Sequence, residues 1–173
     1  MALDPQITVP FLTAAYGAPL VVAALWDLRT YRIPNLLSAL LALGFVPAAL
    51  LAPGPVDWSL HLVAGAGVFV IGAFSFALGW MGAGDVKLGA AVALWAGPMM
   101  PELLLGMALV GGGLALALLV VRRVLAGVLL AALPHPERVA LPRVLIPGEG
   151  VPFGIAIAGA GLYVAPRLPL FLT

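Results

Sequence analysis

Charges and prolines cut this chain into apolar stretches close to the length that crosses hydrocarbon. The stretches lie at about 9–26, 36–52, 59–80, 102–121 and 151–166, with a shorter one at about 86–97. Roughly 20 apolar residues span the ~30 Å core of a bilayer as a helix, and a helix satisfies its own backbone polar groups, as lipid requires. Strict two-residue alternation, the mark of a transmembrane barrel, does not occur in them. With 64% hydrophobic and 9% charged residues, the composition lies far from that of soluble domains, about a quarter of whose residues are charged. The expected fold is all-α, a polytopic membrane protein of about six transmembrane helices, with residues 1–173 forming a single integral-membrane domain. The 86–97 stretch is short for a crossing and must borrow Pro98 to Met100 or thin the bilayer.

Lysines and arginines orient the spans. If the first runs from outside to inside, Arg29, Arg32, Lys87, Arg122, Arg123, Arg138 and Arg143 all fall on the cytoplasmic side, and Arg167 alone falls outside. Both termini are therefore expected outside. The start of the chain carries no basic region and no small-residue cleavage site, so its first apolar stretch reads as a retained span. A net charge of +1 gives no reason to expect a nucleic-acid partner. The absence of cysteine excludes disulfides, thiolate metal sites and cysteine nucleophiles. His61 and His135 fall on opposite sides, so a shared metal is not expected.

Residues 122–150 form the longest segment between spans. Its apolar part, VLAGVLLAAL (124–133), is half a span long and reads as an interfacial or re-entrant helix. Arg122 and Arg123 read as a stop signal, and the proline-rich run after 133 as turns. Trp26, Trp58, Trp80 and Trp95 sit mostly near span ends, as interfacial anchors do. Gly154 with Ala158, and Ala108 with Gly112, read as small pairs for close helix packing.

The same topology brings two acids to one depth. Asp27 closes the first span at the cytoplasmic face, and Asp85 sits in the turn reached two crossings later. An ionised acid near hydrocarbon is expensive and usually serves a function. Two carboxylates held close cannot both ionise cheaply, so such a pair shares a proton. One can then activate water while the other polarises a carbonyl, with neither metal nor cofactor. Simpler readings stand beside this one. Asp85 alone can cap the helix that follows it, Asp27 alone can pair with Arg29 or Arg32, and Lys87 can reach for the headgroups. Glu149 is either a loop acid or a substrate contact.

Three motifs resemble one family. GAGDVKLGAA (82–91) is similar to the GxGD signature of membrane-embedded aspartyl proteases, in the extended form of type IV prepilin peptidases. WDLRTYRIPNLLS (26–38) resembles the first catalytic-aspartate motif of that family, and VPFGIAIAGAG (151–161) its third element, a Pro-hydrophobic-Gly opening to the last helix. The resemblance implies that Asp27 and Asp85 are the catalytic pair. It implies that Gly82 and Gly84 present Asp85, that Pro34 and Asn35 shape the turn into the second span, and that Lys87 matches a basic position after the second aspartate. Pro152 and Gly154 belong to the third element. The implied activity is endoproteolysis without cofactor, removing short basic leaders from pilin-like precursors that carry an apolar helix, at the cytoplasmic face of the cell membrane.

Many prepilin peptidases also carry an N-terminal domain with paired-cysteine zinc motifs, associated with methyl transfer. A chain without cysteine resembles the short form instead, as in tight-adherence pilus or preflagellin peptidases, and methyl transfer is not expected. A presenilin-like assignment fits less well, because the Pro-Ala-Leu element is missing. Two rival classes remain at this level: a small proton- or cation-coupled transporter using the paired acids, and an assembly factor that docks helices through small residues.

Overall fold

The structure is a computed structural model that describes residues 5–132, 141–146 and 148–171. Among these residues all regular structure is helical, with no strand. Six α-helices follow in order: α1 (Pro5–Thr30), α2 (Asn35–Leu51), α3 (Trp58–Ala77), α4 (Ala83–Ala96), α5 (Met100–Ala132) and α6 (Gly154–Val164).

Three described stretches are long and apolar enough to cross a bilayer: Gln6–Thr30, Trp58–Ala77 and Ala83–Leu129. The last is not one rod. Gly97, at φ +50°, turns the backbone between α4 and α5, and a 3₁₀ turn, Gly97–Met99, joins them. Asn35–Leu51 is equally apolar but shorter. Large apolar side chains on these helices stand exposed, Leu43, Leu50, Val70 and Leu109 among them. A continuous apolar exterior of this kind is what lipid covers.

The core forms around α4, which packs against α2, α3 and α6, while α6 in turn packs on α1 and α5. The two shortest helices are thus the most enclosed. Along α4, Val86, Leu88, Val92 and Trp95 are buried, and along α6, Ala156, Ile157, Ala160 and Val164. Asp57 caps α3 by accepting from the backbone N–H groups of Ser59 and Leu60 and from the Ser59 hydroxyl.

Several sequence-based expectations are corrected. Helix α5 does not stop at the arginine pair but continues through Ala132, so no separate interfacial helix begins at 124. Residues 124–132 hold no proline, and their leucines and alanines outnumber Val124, Gly127 and Val128, so nothing in them ends the preceding helix. Trp95 is no interfacial anchor: it is 1% exposed, stacks near Tyr16, Phe45 and Phe171, and donates its indole N–H to the Leu41 carbonyl. Ala108 and Gly112 face outward. The α5 face that meets α6 carries Leu103, Met107 and Gly111 instead, with Phe153 resting where a side chain at 111 would stand. His61 is buried and its Nδ1 lies 2.7 Å from the Leu94 carbonyl. His135 lies outside the described residues.

Candidate active site

Asp27 does not end its helix, because α1 runs one further turn to Thr30. Its side chain is buried, at 4% exposure. A buried carboxylate requires a donor, and Asp27 has one 127 residues away: the backbone N–H of Gly154 donates to Oδ2 at 2.8 Å. Gly154 is the first residue of α6, so the carboxylate lies at the positive end of that helix. Its partner is thus a backbone N–H rather than Arg29 or Arg32, the simpler reading open to Asp27 taken alone. Pro152 supplies the carbonyl that the Ile155 N–H reaches, starting the same turn.

Asp85 sits not in a loop but in the first turn of α4, with Gly82 as the N-cap residue. It is therefore the third helical residue rather than the cap. An acid there is favoured by the helix dipole, and Oδ2 folds back over Gly82, 3.0 Å from where a Cβ at that position would be. Asp27 and Asp85 line one pocket of about 280 Å³. Each carboxylate is held at the N-terminal end of a short, buried helix.

The two expected motif glycines do not supply an unusual backbone. Gly82 is extended, at φ −74° and ψ 145°, and Gly84 is helical. Gly84 instead permits close approach: a Cβ there would stand 3.1 Å from the Cβ of Ile33. Ile33 reaches Gly154 on its other side, where its Cδ1 would meet a Cβ at 2.9 Å. One buried isoleucine is thus held between a glycine beside Asp85 and the glycine bonded to Asp27. Ile33 opens the Ile-Pro-Asn run of the first motif, but sequence reading assigned it no role of its own; a buried-type residue inside a turn bounded by Arg32 and Pro34 was the available signal.

Pro34 takes the N-cap position of α2 and Asn35 its first turn. Lys87, two residues after Asp85 on α4, donates to Asn35 Oδ1 at 2.9 Å. The lysine is exposed, but its ammonium is engaged by the Ile-Pro-Asn element rather than turned to the headgroups.

Tyr31 was also missed. Among the described residues it is the one non-glycine with positive φ, at 54°, and it lines the pocket of the two aspartates. A bulky residue held there costs about 1–3 kcal/mol and is a mark of functional sites. Its hydroxyl is buried without a partner among the described residues, and the Arg143 guanidinium lies over its ring, 4.8 Å from the centroid. Arg143 also pairs with Glu149, so Glu149 is tied to the guanidinium that lies over Tyr31. Arg122 is more than a stop signal. Its guanidinium donates to three backbone carbonyls, those of Val144, Glu149 and Gly150, and so ties α5 to the segment that leads into α6.

The fold and the pocket together define a helical membrane protein with a paired-carboxylate site. The chain belongs to the type IV leader peptidase family, whose model matches residues 14–130. It is a peptidase of that family. The matched region contains both aspartates, the turn at 31–35 and Lys87, while Pro152 and Gly154 lie beyond it. Neither a curated protein nor a solved structure matches the chain.

Proposed function

We propose that this chain is an aspartic endopeptidase that removes short basic leader peptides from type IV pilin-like precursors, with Asp27 and Asp85 as its catalytic pair. The observation that carries this reading is the shared pocket of the two carboxylates in a member of the leader peptidase family. In that pocket one ionised carboxylate takes a proton from water as its oxygen attacks the scissile carbonyl carbon. The protonated partner donates to the carbonyl oxygen, and the resulting tetrahedral centre collapses as the amide nitrogen is protonated and leaves. No metal or cofactor enters the balance. The two acids titrate as a unit, so the base and the acid are roles of the pair rather than of one named residue.

The arrangement in the membrane follows from the charges. About six crossings with both termini outside would set the pair at the cytoplasmic face of the cell membrane, beside Arg29, Arg32 and Lys87. A precursor's basic leader then stays in the cytoplasm while its apolar helix lies in the bilayer, and the bond between them meets the pair where water is available.

The test is coexpression with pilin-like precursors, following precursor size on gels. Wild-type chain shortens the precursor. Asp27→Asn and Asp85→Asn each leave it full length while the enzyme remains in the membrane. Normal processing by either variant removes that residue from the pair. Acid-dependent ion flux without cleavage supports the transporter instead.

A further inference from the structure

Helices α2 and α3 are consecutive in the chain, yet both pack on α4 and scarcely on each other. The gap between them is a groove of about 630 Å³, floored by Ala90 and Ala91 of α4 and walled by Ala39 and Ala66. Small side chains of this kind let another helix bring its backbone close. A second observation points to an occupant. Ser38 is only 6% exposed, lines the groove, and its hydroxyl has no hydrogen-bond partner among the described residues. A buried hydroxyl left this way costs free energy until an acceptor arrives.

The groove is also continuous with the site. Asn35 lines both the groove and the pocket of Asp27 and Asp85, and its bond to Lys87 marks the boundary between them. We propose that this groove receives the apolar helix of the membrane-bound substrate, laid along α4, so that the bond to be cut passes the Asn35–Lys87 pair into the aspartate pocket. The proposal rests on the peptidase reading above and names the surface by which the substrate is held. A lipid chain would fill the same apolar walls, but it offers Ser38 no acceptor and has no reason to lead toward the aspartates. A helix with a small-residue face offers backbone carbonyls, whose second lone pair stays free to accept.

The chain holds no native cysteine, so single cysteines report proximity directly. Ala39→Cys and Ala66→Cys are made in the Asp27→Asn background and coexpressed in membranes with a pilin-like precursor that carries one cysteine scanned through its apolar helix. Leu109→Cys, on the outward face of α5 at 67% exposure, serves as the reference. The expected result is disulfide-linked enzyme and precursor from positions 39 and 66 at a few scan positions spaced by helical turns, and none from 109. In the uncrosslinked enzyme with both aspartates intact, Ala39→Phe and Ala66→Phe raise KM for the precursor by about tenfold or more, with a smaller change in kcat. Precursor cleavage by the wild type with no link at 39 or 66 and an unchanged KM overturns the groove and leaves the peptidase reading intact. Links between two enzyme copies through position 39 or 66, formed equally without precursor, also overturn it. Links to the precursor without any wild-type cleavage uphold the groove and remove the peptidase reading.

Discussion

Gly154 donates its backbone N–H to Asp27 Oδ2 at 2.8 Å, joining the first turn of α6 to the last turns of α1. Alanine at 154 would keep that N–H and still disturb the bond, because its Cβ would lie 2.9 Å from Oδ2 and 2.9 Å from Ile33 Cδ1. Overpacking of this kind costs about 1–3 kcal/mol. Gly154→Ala is expected to lower thermal stability in detergent and to slow precursor processing by about tenfold or more. Wild-type processing by this variant would show that α6 has no hold on Asp27.

Ile33 links the same glycine to Gly84 and so couples the settings of both carboxylates. Ile33→Ala opens a cavity at a buried position, with an expected loss of about 2–5 kcal/mol, whereas Ile33→Val costs about 0.5–1.5 kcal/mol. Processing should follow the same order, near wild type for valine and largely lost for alanine. Melting curves and precursor gels on the three proteins check this. Equal processing by both variants would make Ile33 ordinary core.

Asp57 lies outside the spans and gives a pH test of the fold. The Ser59 hydroxyl, helped by the Leu60 N–H, holds its carboxyl below the usual carboxylate range. A group depressed in the folded state stabilises above its unfolded value, near pH 4, and loses that contribution as pH falls through the folded value. Asp57→Ala should therefore melt earlier than wild type at neutral pH, with the gap closing as the medium is acidified below about pH 4. A gap independent of pH would assign the effect to the neutral cap geometry alone.

Much of this site was legible in the sequence because topology and motif act locally. Counting crossings put Asp27 and Asp85 on one side, and the turn at 33–35 and the acid at 85 stand in short runs whose chemistry can be read directly. Long-range contacts were not legible. Nothing near Gly154 states that its N–H meets an acid 127 residues away, and Gly84 reads as a loop glycine until Ile33 is seen against it. Trp95 and Arg122 failed for a related reason. Both sit where a membrane anchor or stop signal is expected by position, and only the packing of α4 on α2, and of α5 on the 144–150 segment, turns them inward.

Arg122 offers the strictest test of that segment. One planar guanidinium serves three carbonyls, at 2.9 Å to Val144, 2.7 Å to Glu149 and 2.9 Å to Gly150. A lysine ammonium keeps the charge but cannot reproduce the planar fork. Arg122→Lys should loosen the entry to α6, so that limited proteolysis cuts more readily around 144–150. Processing should fall by about three- to tenfold, since the Gly154 N–H depends on that entry. Arg123, exposed on the next position of α5, is the control: Arg123→Lys should leave both readouts unchanged. Parallel effects at 122 and 123 would return the pair to a purely topological role, because Arg122 is the arginine that reaches the three carbonyls.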